Sequence, residues 1–402
     1  MGMFNLSQLE KNIKDLKNEN VDVRKRAAEK LAKLGNARAV EPFIEALKDR
    51  GANGVHLSAR RALENIGEPA VESLIRHLED KNENIRLGIV IALGTIHDAR
   101  AVKPLIRTLR DESINVRRCA AKALGEIGNI ETIGPLVFIL QDKEEVLEVK
   151  KTVCEALRNL GWEPENNMQV IWSLIAEQKW NEVVKYRELA IEPLIIVLKN
   201  SHEHSAIQLS LGLTLGEFGI QAVEPLTQVL DIMDFEKNPN EHLIEEYLTN
   251  GIVPTGAWYA RQGSAFALGD IGDRRAIAPL IRALLVSYHL HECIQPHLSD
   301  ALWQAWRNLD DALHDFQRSA IRTLGNIGDD TAVDAIIQGL KSENSSIRQC
   351  AAEALGNLGA DRAMDHLRRL LADHEEVVVN VKSVTVAESA KEALDKIKNR
   401  RK

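Results

Sequence analysis

The chain is poor in the residues that usually announce chemistry. Aromatic residues make up 4% of its 402 positions, prolines number eleven and cysteines four, none of them in a CxxC pair. Isolated thiols without partner spacing argue against a disulfide framework. Cys119, Cys154, Cys293 and Cys350 fall in helical patterns, as reduced and mostly buried side chains. No apolar run approaches the roughly 20 residues of a membrane span. The first twenty residues, MGMFNLSQLEKNIKDLKNEN, form a charged amphipathic segment without the apolar stretch of a secretion signal. A cytoplasmic protein with no membrane partner is expected. There is no GxSxG elbow and no phosphate-cradling glycine loop, so neither nucleophilic hydrolysis nor nucleotide binding has a motif to rest on.

What the chain does have is repetition. VRKRAAEKLAKLGNARAVEPFIEALKD from Val23, IRLGIVIALGTIHDARAVKPLIRTLRD from Ile85 and VRRCAAKALGEIGNIETIGPLVFILQD from Val116 are copies of one unit with a period near thirty-one. Altered copies start at Val55, Val149, Ala206, Arg261, Arg318 and Ile347, and a half-unit closes the chain from Val386, roughly nine or ten units in all. Each unit reads as two helices. The first stops at a glycine (Gly35, Gly67, Gly128, Gly219, Gly272, Gly328, Gly359), the residue that most easily turns left-handed past a helix end. The second carries a proline in its first turn (Pro42, Pro104, Pro135, Pro193, Pro225, Pro279), where a missing N–H costs little. An aspartate ends most units, at Asp49, Asp80, Asp111, Asp142 and Asp231. A pair of this kind cannot bury its apolar face alone, so the units are expected to stack into an all-α solenoid. The N-terminal helix and the lysine-rich C-terminal helix are expected to act as caps. An arginine column at the start of the first helices (Arg24, Arg86, Arg117, Arg318, Arg348, with Lys150 in line) is expected to hydrogen-bond between units.

The pattern VRxxAAxALGxIGDxRAVxPLIxAL resembles the HEAT-like repeat named after phycobilisome (PBS) lyases. The resemblance covers nearly the whole chain and implies a right-handed α-α superhelix with a concave surface lined by the second helices. For function it implies three classes: scaffolds and adaptors, bilin-lyase-like proteins that handle tetrapyrrole chromophores, and deoxyhypusine-hydroxylase-like oxidoreductases. The last carry iron on His-Glu pairs seven and six residues before the glycine of the ALG triplet. Here those positions are Lys25 and Arg26, Leu87 and Gly88, Arg118 and Cys119, and Gln349 and Cys350, which offer no paired imidazole and carboxylate. The His-Glu pairs present, His202-Glu203, His291-Glu292 and His374-Glu375, fall elsewhere. The segment HLHECIQPH, with His289, His291, Cys293 and His297, invites a zinc reading. Its spacing matches no closed zinc motif, and Pro296 is expected to start a new helix that separates Cys293 from His297. Ordinary inter-helix histidines are expected, with no metal and no cofactor, and nothing specifies a tetrapyrrole.

Three interruptions break the array: Gly161 to about Leu189, Ile232 to about Trp258, and about Val286 to Asp315. All six tryptophans and all four tyrosines lie between residues 162 and 306. Charge follows the same division, with a net of +3 over residues 1–160, −12 over 161–315 and +1 over 316–402. The chain therefore reads as N-terminal repeats, an acidic aromatic middle and C-terminal repeats within one continuous solenoid. An acidic middle does not suit a phosphate backbone, so nucleic acid is not the expected partner. It does suit a basic or amphipathic protein segment, steered by carboxylates and anchored by aromatics. Trp258, Tyr259, Trp303, Trp306, Tyr247 and Tyr288 are the candidate partner-binding residues, no catalytic residue is assigned, and the expected role is a non-enzymatic scaffold. The first interruption, with Trp162, Trp172 and Trp180, reads as a structural spacer with extra helical pieces over Met168–Glu177 and Trp180–Tyr186.

Overall fold

The computed structural model describes residues 6–49, 54–200, 205–230, 255–294, 303–379 and 382–400. They form two compact units, Met1–Gln178 and Lys179–Lys402, each built mainly from stacked helix pairs.

The fourth repeat shows how sequence sets the local structure. Ser113 caps the helix Ile114–Ile127 by accepting the Val116 N–H. Spacing of three and four places Val116, Ala120, Ala123 and Leu124 on its buried face. Gly128, at φ 76°, then turns the chain left-handed. Asn129 caps a short 3-10 turn, Ile130–Thr132, and the second helix runs Ile133–Gln141. All seven glycines expected to stop first helices take positive φ. In the third repeat, which lacks that glycine, His97 adopts φ 60° and its ring contacts the Thr95 carbonyl at 2.7 Å.

The glycine of the ALG triplet has a different role. A Cβ at Gly125 would lie 2.7 Å from the Ala156 Cα, and Gly94 faces Ala123, Gly325 faces Ala354 and Gly356 faces Ala393 in the same way. First helices therefore stack on one another at backbone contact.

The arginine column is a clamp between repeats. Arg24 bonds the carbonyls of Asn18 and Glu19 and the carboxylate of Asp49. Arg86 repeats this with Asp80, Lys81 and Asp111, Arg117 with Asp111, Glu112 and Glu145, and Arg348 with Ser342, Glu343 and Asp373. Each guanidinium thus joins the loop before its helix to the acid after its own repeat's second helix, an arrangement a planar fork of donors suits. In the second repeat His56 stands in this place and contacts the Asp49 carbonyl at 3.1 Å. Lys150 is fully buried, donating to the Leu140 and Asp142 carbonyls and lying 4.1 Å from the centre of the Trp172 ring. Burial lowers its pKa to about 8, opposed by Asp142 and Glu145.

Arg318 departs from the expected column: it is exposed and pairs with Asp315, one turn earlier. The reason is the long helix Trp303–Ile327, which runs straight through the position expected to start a new first helix, leaving no preceding loop carbonyls to clamp. Its neighbour Ile277–Ile294 is also extended. The third interruption therefore lengthens a helix pair, and Pro296 lies outside the described residues. Pro193 also departs from expectation, since it sits six residues into the helix Glu188–Asn200, where the chain continues helical in place of the usual 3-10 turn.

The spacer forms the helix Asn167–Ala176 and a short helical piece from Trp180 to Tyr186. Trp172 and Ile175 are buried together, and the boundary between the two compact units falls inside it, at Gln178, which has φ 56°. One element has no counterpart in the expected all-α pattern: an antiparallel hairpin pairs Glu376–Val379 with Lys382–Thr385 just before the last helix, Val386–Arg400. Thr385 and Glu388 cap that helix reciprocally. No described helix is long and apolar enough to cross a membrane.

Candidate functional site

The second helices of the first four repeats present an ordered surface. One column, at a spacing of thirty-one, reads Glu41, Glu72, Lys103 and Gly134, and the next reads Glu45, Arg76, Arg107 and Phe138. All eight positions are exposed. Neighbouring rungs are joined: Arg76 bonds Glu41 at 3.1 Å, and Arg100 approaches Glu68 and Glu72. Phe138 is 55% exposed, with the Arg110 guanidinium 5.3 Å from its ring centre. A cleft of about 380 Å3 beside Arg107 and Arg110 reaches the Arg86 clamp. The surface passes from acidic through basic to aromatic along the stack.

The candidate aromatics of the acidic middle have different fates. Trp258 is fully buried, its ring tilted on Phe316 at 5.1 Å with the Arg261 guanidinium 4.4 Å from its centre, so it packs the joint and is removed from the surface anchors. Its indole N–H, with Gln262 Oε1 and Ser264 Oγ, has no hydrogen-bond partner among the described residues. Tyr259 is half-buried on the same helix, Thr255–Ile271, and its phenol is pushed up first by burial and then by the Asp315 and Asp311 carboxylates. Tyr288 is half-buried, with its hydroxyl buried against Gly339. Trp303 and Trp306 lie in the first turn of the Trp303–Ile327 helix, and Tyr247 lies outside the described residues.

The positions that would carry a hydroxylase-type iron are committed elsewhere. Arg118 pairs with Glu148, Gln349 donates to Glu353, and Gly88 has no side chain. This donor set does not fit iron. Of the His-Glu pairs, Glu375 accepts from the Arg348 clamp at 2.9 Å, and residues 202 and 203 lie outside the described residues. The described cysteines are in no disulfide, and burial holds the Cys154 thiol at about 12 and raises that of Cys350, which keeps both protonated.

The histidine segment meets groups that sequence spacing does not connect to it. His291, near the end of the Ile277–Ile294 helix, faces Asp310 and His314 of the next helix. Its Nε2 is 3.1 Å from Asp310 Oδ1, and His314 Nδ1 is 3.5 Å from Asp310 Oδ2. The two imidazole rings are 5.2 Å apart. Burial lowers the His314 pKa, with Asp310 opposing. The signal in the sequence is the Asp310-His314 spacing of four, which sets both on one helix face.

Comparison with known proteins bears mainly on the fold. HEAT-repeat models match residues 9–83, 71–158 and 300–381, and the PBS lyase HEAT-like repeat matches 260–285. No curated protein matches. Similar solved structures include an engineered protein at 20% identity (TM-score 0.37, covering 97% of this chain and 99% of that one). Human deoxyhypusine hydroxylase with glycerol is similar at 21% (0.28, 92% and 99%), and importin beta at 16% (0.34, 97% and 58%). At such low TM-scores these likenesses say nothing about activity. The HEAT-repeat models span more than half of the residues, and the chain belongs to the HEAT repeat family.

Proposed function

We propose that the protein is a non-enzymatic scaffold that holds a protein partner on the exposed faces of its second helices. The observation that carries this reading is the pair of surface columns in the Met1–Gln178 unit, above all Glu45, Arg76, Arg107 and Phe138. Arginine and aromatic side chains at the end of a mixed-charge surface are the composition that protein interfaces favour. A polyanion would need the basic character to continue along the stack.

A second contact is proposed on the acidic middle, for a basic or amphipathic segment. Tyr259 supports it, as a half-buried phenol beside Asp311 and Asp315. Trp303, Trp306 and Tyr247 remain proposed contacts there.

The test is affinity capture with mass spectrometry, comparing wild type with R107E/F138S and with Y259S. All three positions are at least partly exposed, so circular dichroism should stay unchanged. Loss of the same captured protein in R107E/F138S would support the first surface. Equal capture by wild type and all variants would defeat the reading.

A further inference from the structure

The joint between the Ile277–Ile294 and Trp303–Ile327 helices holds three side chains for which the scaffold reading has no use. His291, Asp310 and His314 offer one donor atom each, all within 4.8 Å of one another. They are partly buried, with 19%, 25% and 16% of their side chains exposed, so an ion can enter while water is largely held off. All three stand on helices, which fix a constellation more closely than loops do.

Two details separate this group from an ordinary ion pair. The first is alignment. Asp310 Oδ1 is 3.1 Å from the His291 ring nitrogen, yet it is buried and makes no hydrogen bond among the described residues. Groups that bond each other point at each other, whereas ligands of a common ion point past each other at a shared centre. The second is spacing. With metal–nitrogen and metal–oxygen bonds of about 2.0–2.2 Å, two ligands of a tetrahedral ion lie about 3.4 Å apart. The contacts to Asp310 are 3.1 Å from His291 to Oδ1 and 3.5 Å from His314 to Oδ2, so each imidazole stands near ligand spacing from its own carboxylate oxygen. The donor atoms of all three residues lie within 4.8 Å of one another, and side-chain rotation would bring them onto one centre.

We propose that His291, Asp310 and His314 form a binding site for a divalent metal ion of the zinc class. Two imidazoles and one carboxylate are the donor set such borderline ions take, and three protein ligands leave a further position open. His291 also lines a cavity of about 420 Å3 with Tyr288, Gln317 and Lys341. Tyr288 stands one turn before His291 and buries a hydroxyl with no hydrogen-bond partner among the described residues. The ion also has a structural role, because it ties together two long helices at the joint where Arg318 has left the clamp and, with its guanidinium exposed, paired with Asp315. The proposal goes beyond the scaffold reading and stands without it.

The experiment uses the full chain, tag removed and chelator-treated, titrated with Zn2+ by calorimetry and with Co2+ by visible absorption. One ion per chain is expected, at micromolar Kd or tighter, with a melting temperature several degrees higher in excess zinc. The cobalt form should show the d–d bands of a low-coordinate nitrogen and oxygen site. H314Q and D310N should each weaken binding at least tenfold, and H366Q, outside the cluster, should leave it unchanged. Absence of zinc uptake would overturn the proposal, as would unchanged affinity in a folded H314Q. A thiolate-to-cobalt charge-transfer band would overturn it too, by placing the ion on a cysteine. If neither variant folds, the wild-type cobalt spectrum and thermal shift decide, and their absence counts against the site.

Discussion

The Met1–Gln178 and Lys179–Lys402 units stack the same kind of helix pair with different joints. In the first, successive guanidiniums bridge loop carbonyls to acids, and Arg86 does so while almost fully buried. In the second, the clamp returns only at Arg348 among the arginines of the column. At the long helices its place is taken by Trp258 on Phe316, by buried polar atoms without partners among the described residues, and by the His291, Asp310 and His314 group. A joint whose donors and acceptors are already matched has none to spare. One that is filled with large side chains leaves polar groups over, and these are what a ligand can use.

The comparison breaks first at Arg86. Truncation in R86A leaves Asp111 and two loop carbonyls without their partner, and about 3–5 kcal/mol of stability should be lost. R318A should change stability by less than about 0.5 kcal/mol, because its guanidinium is exposed and solvent screens the pair. Denaturant unfolding of the full chain measures both, and equal losses would mean that the clamp is not what distinguishes the units.

Lys150 sharpens the contrast. K150M should lose about 1–3 kcal/mol, since the Leu140 and Asp142 carbonyls lose their donor. The wild type also carries a pH signature. The folded-state pKa, near 8, lies below that of the unfolded chain, so the unfolded state binds more protons between about pH 8 and 10.4. Wild type should gain stability relative to K150M as pH rises through that window, whereas a gain on falling pH would contradict the assignment.

Two glycines should differ in the sign of their effect. G125A puts a methyl 2.7 Å from the Ala156 backbone and should cost about 1–3 kcal/mol. G134A adds its methyl to open space on an exposed helix and should gain about 0.5–1 kcal/mol. Opposite signs in thermal denaturation are the expected result.

Much of the fold is legible in the sequence, because its determinants repeat: glycine stops, the arginine column apart from Arg318, and both helical pieces of the spacer stand where spacing puts them. What escapes depends on contacts between segments or on weaker local signals. The stretch RNLDDALHDFQRSA contains no glycine or proline to end a helix, so the place of Arg318 in the repeat misleads where the absence of a breaker is the better guide. The β-branched run EVVVNVKSVTV marks a hairpin, yet it lies between repeat motifs whose period is helical. Composition alone makes Trp258 a surface anchor, though only its packing on Phe316, far along the chain, decides its burial. His291 cannot be joined to Asp310 and His314 from the sequence, because their meeting is set by how two long helices pack.

The reach of the clamp has a consequence for folding. From the Asn18 carbonyl to the Asp49 carboxylate, and from Asp80 to Asp111, each closes over one repeat period. Contact order is therefore low in this stretch, and loop-closure entropy is met in small instalments, which favours fast, sequential assembly. It also makes the module portable. A whole period can be duplicated or excised between clamps without orphaning a charged group, so an array of this kind can change length by copying and keep every joint satisfied.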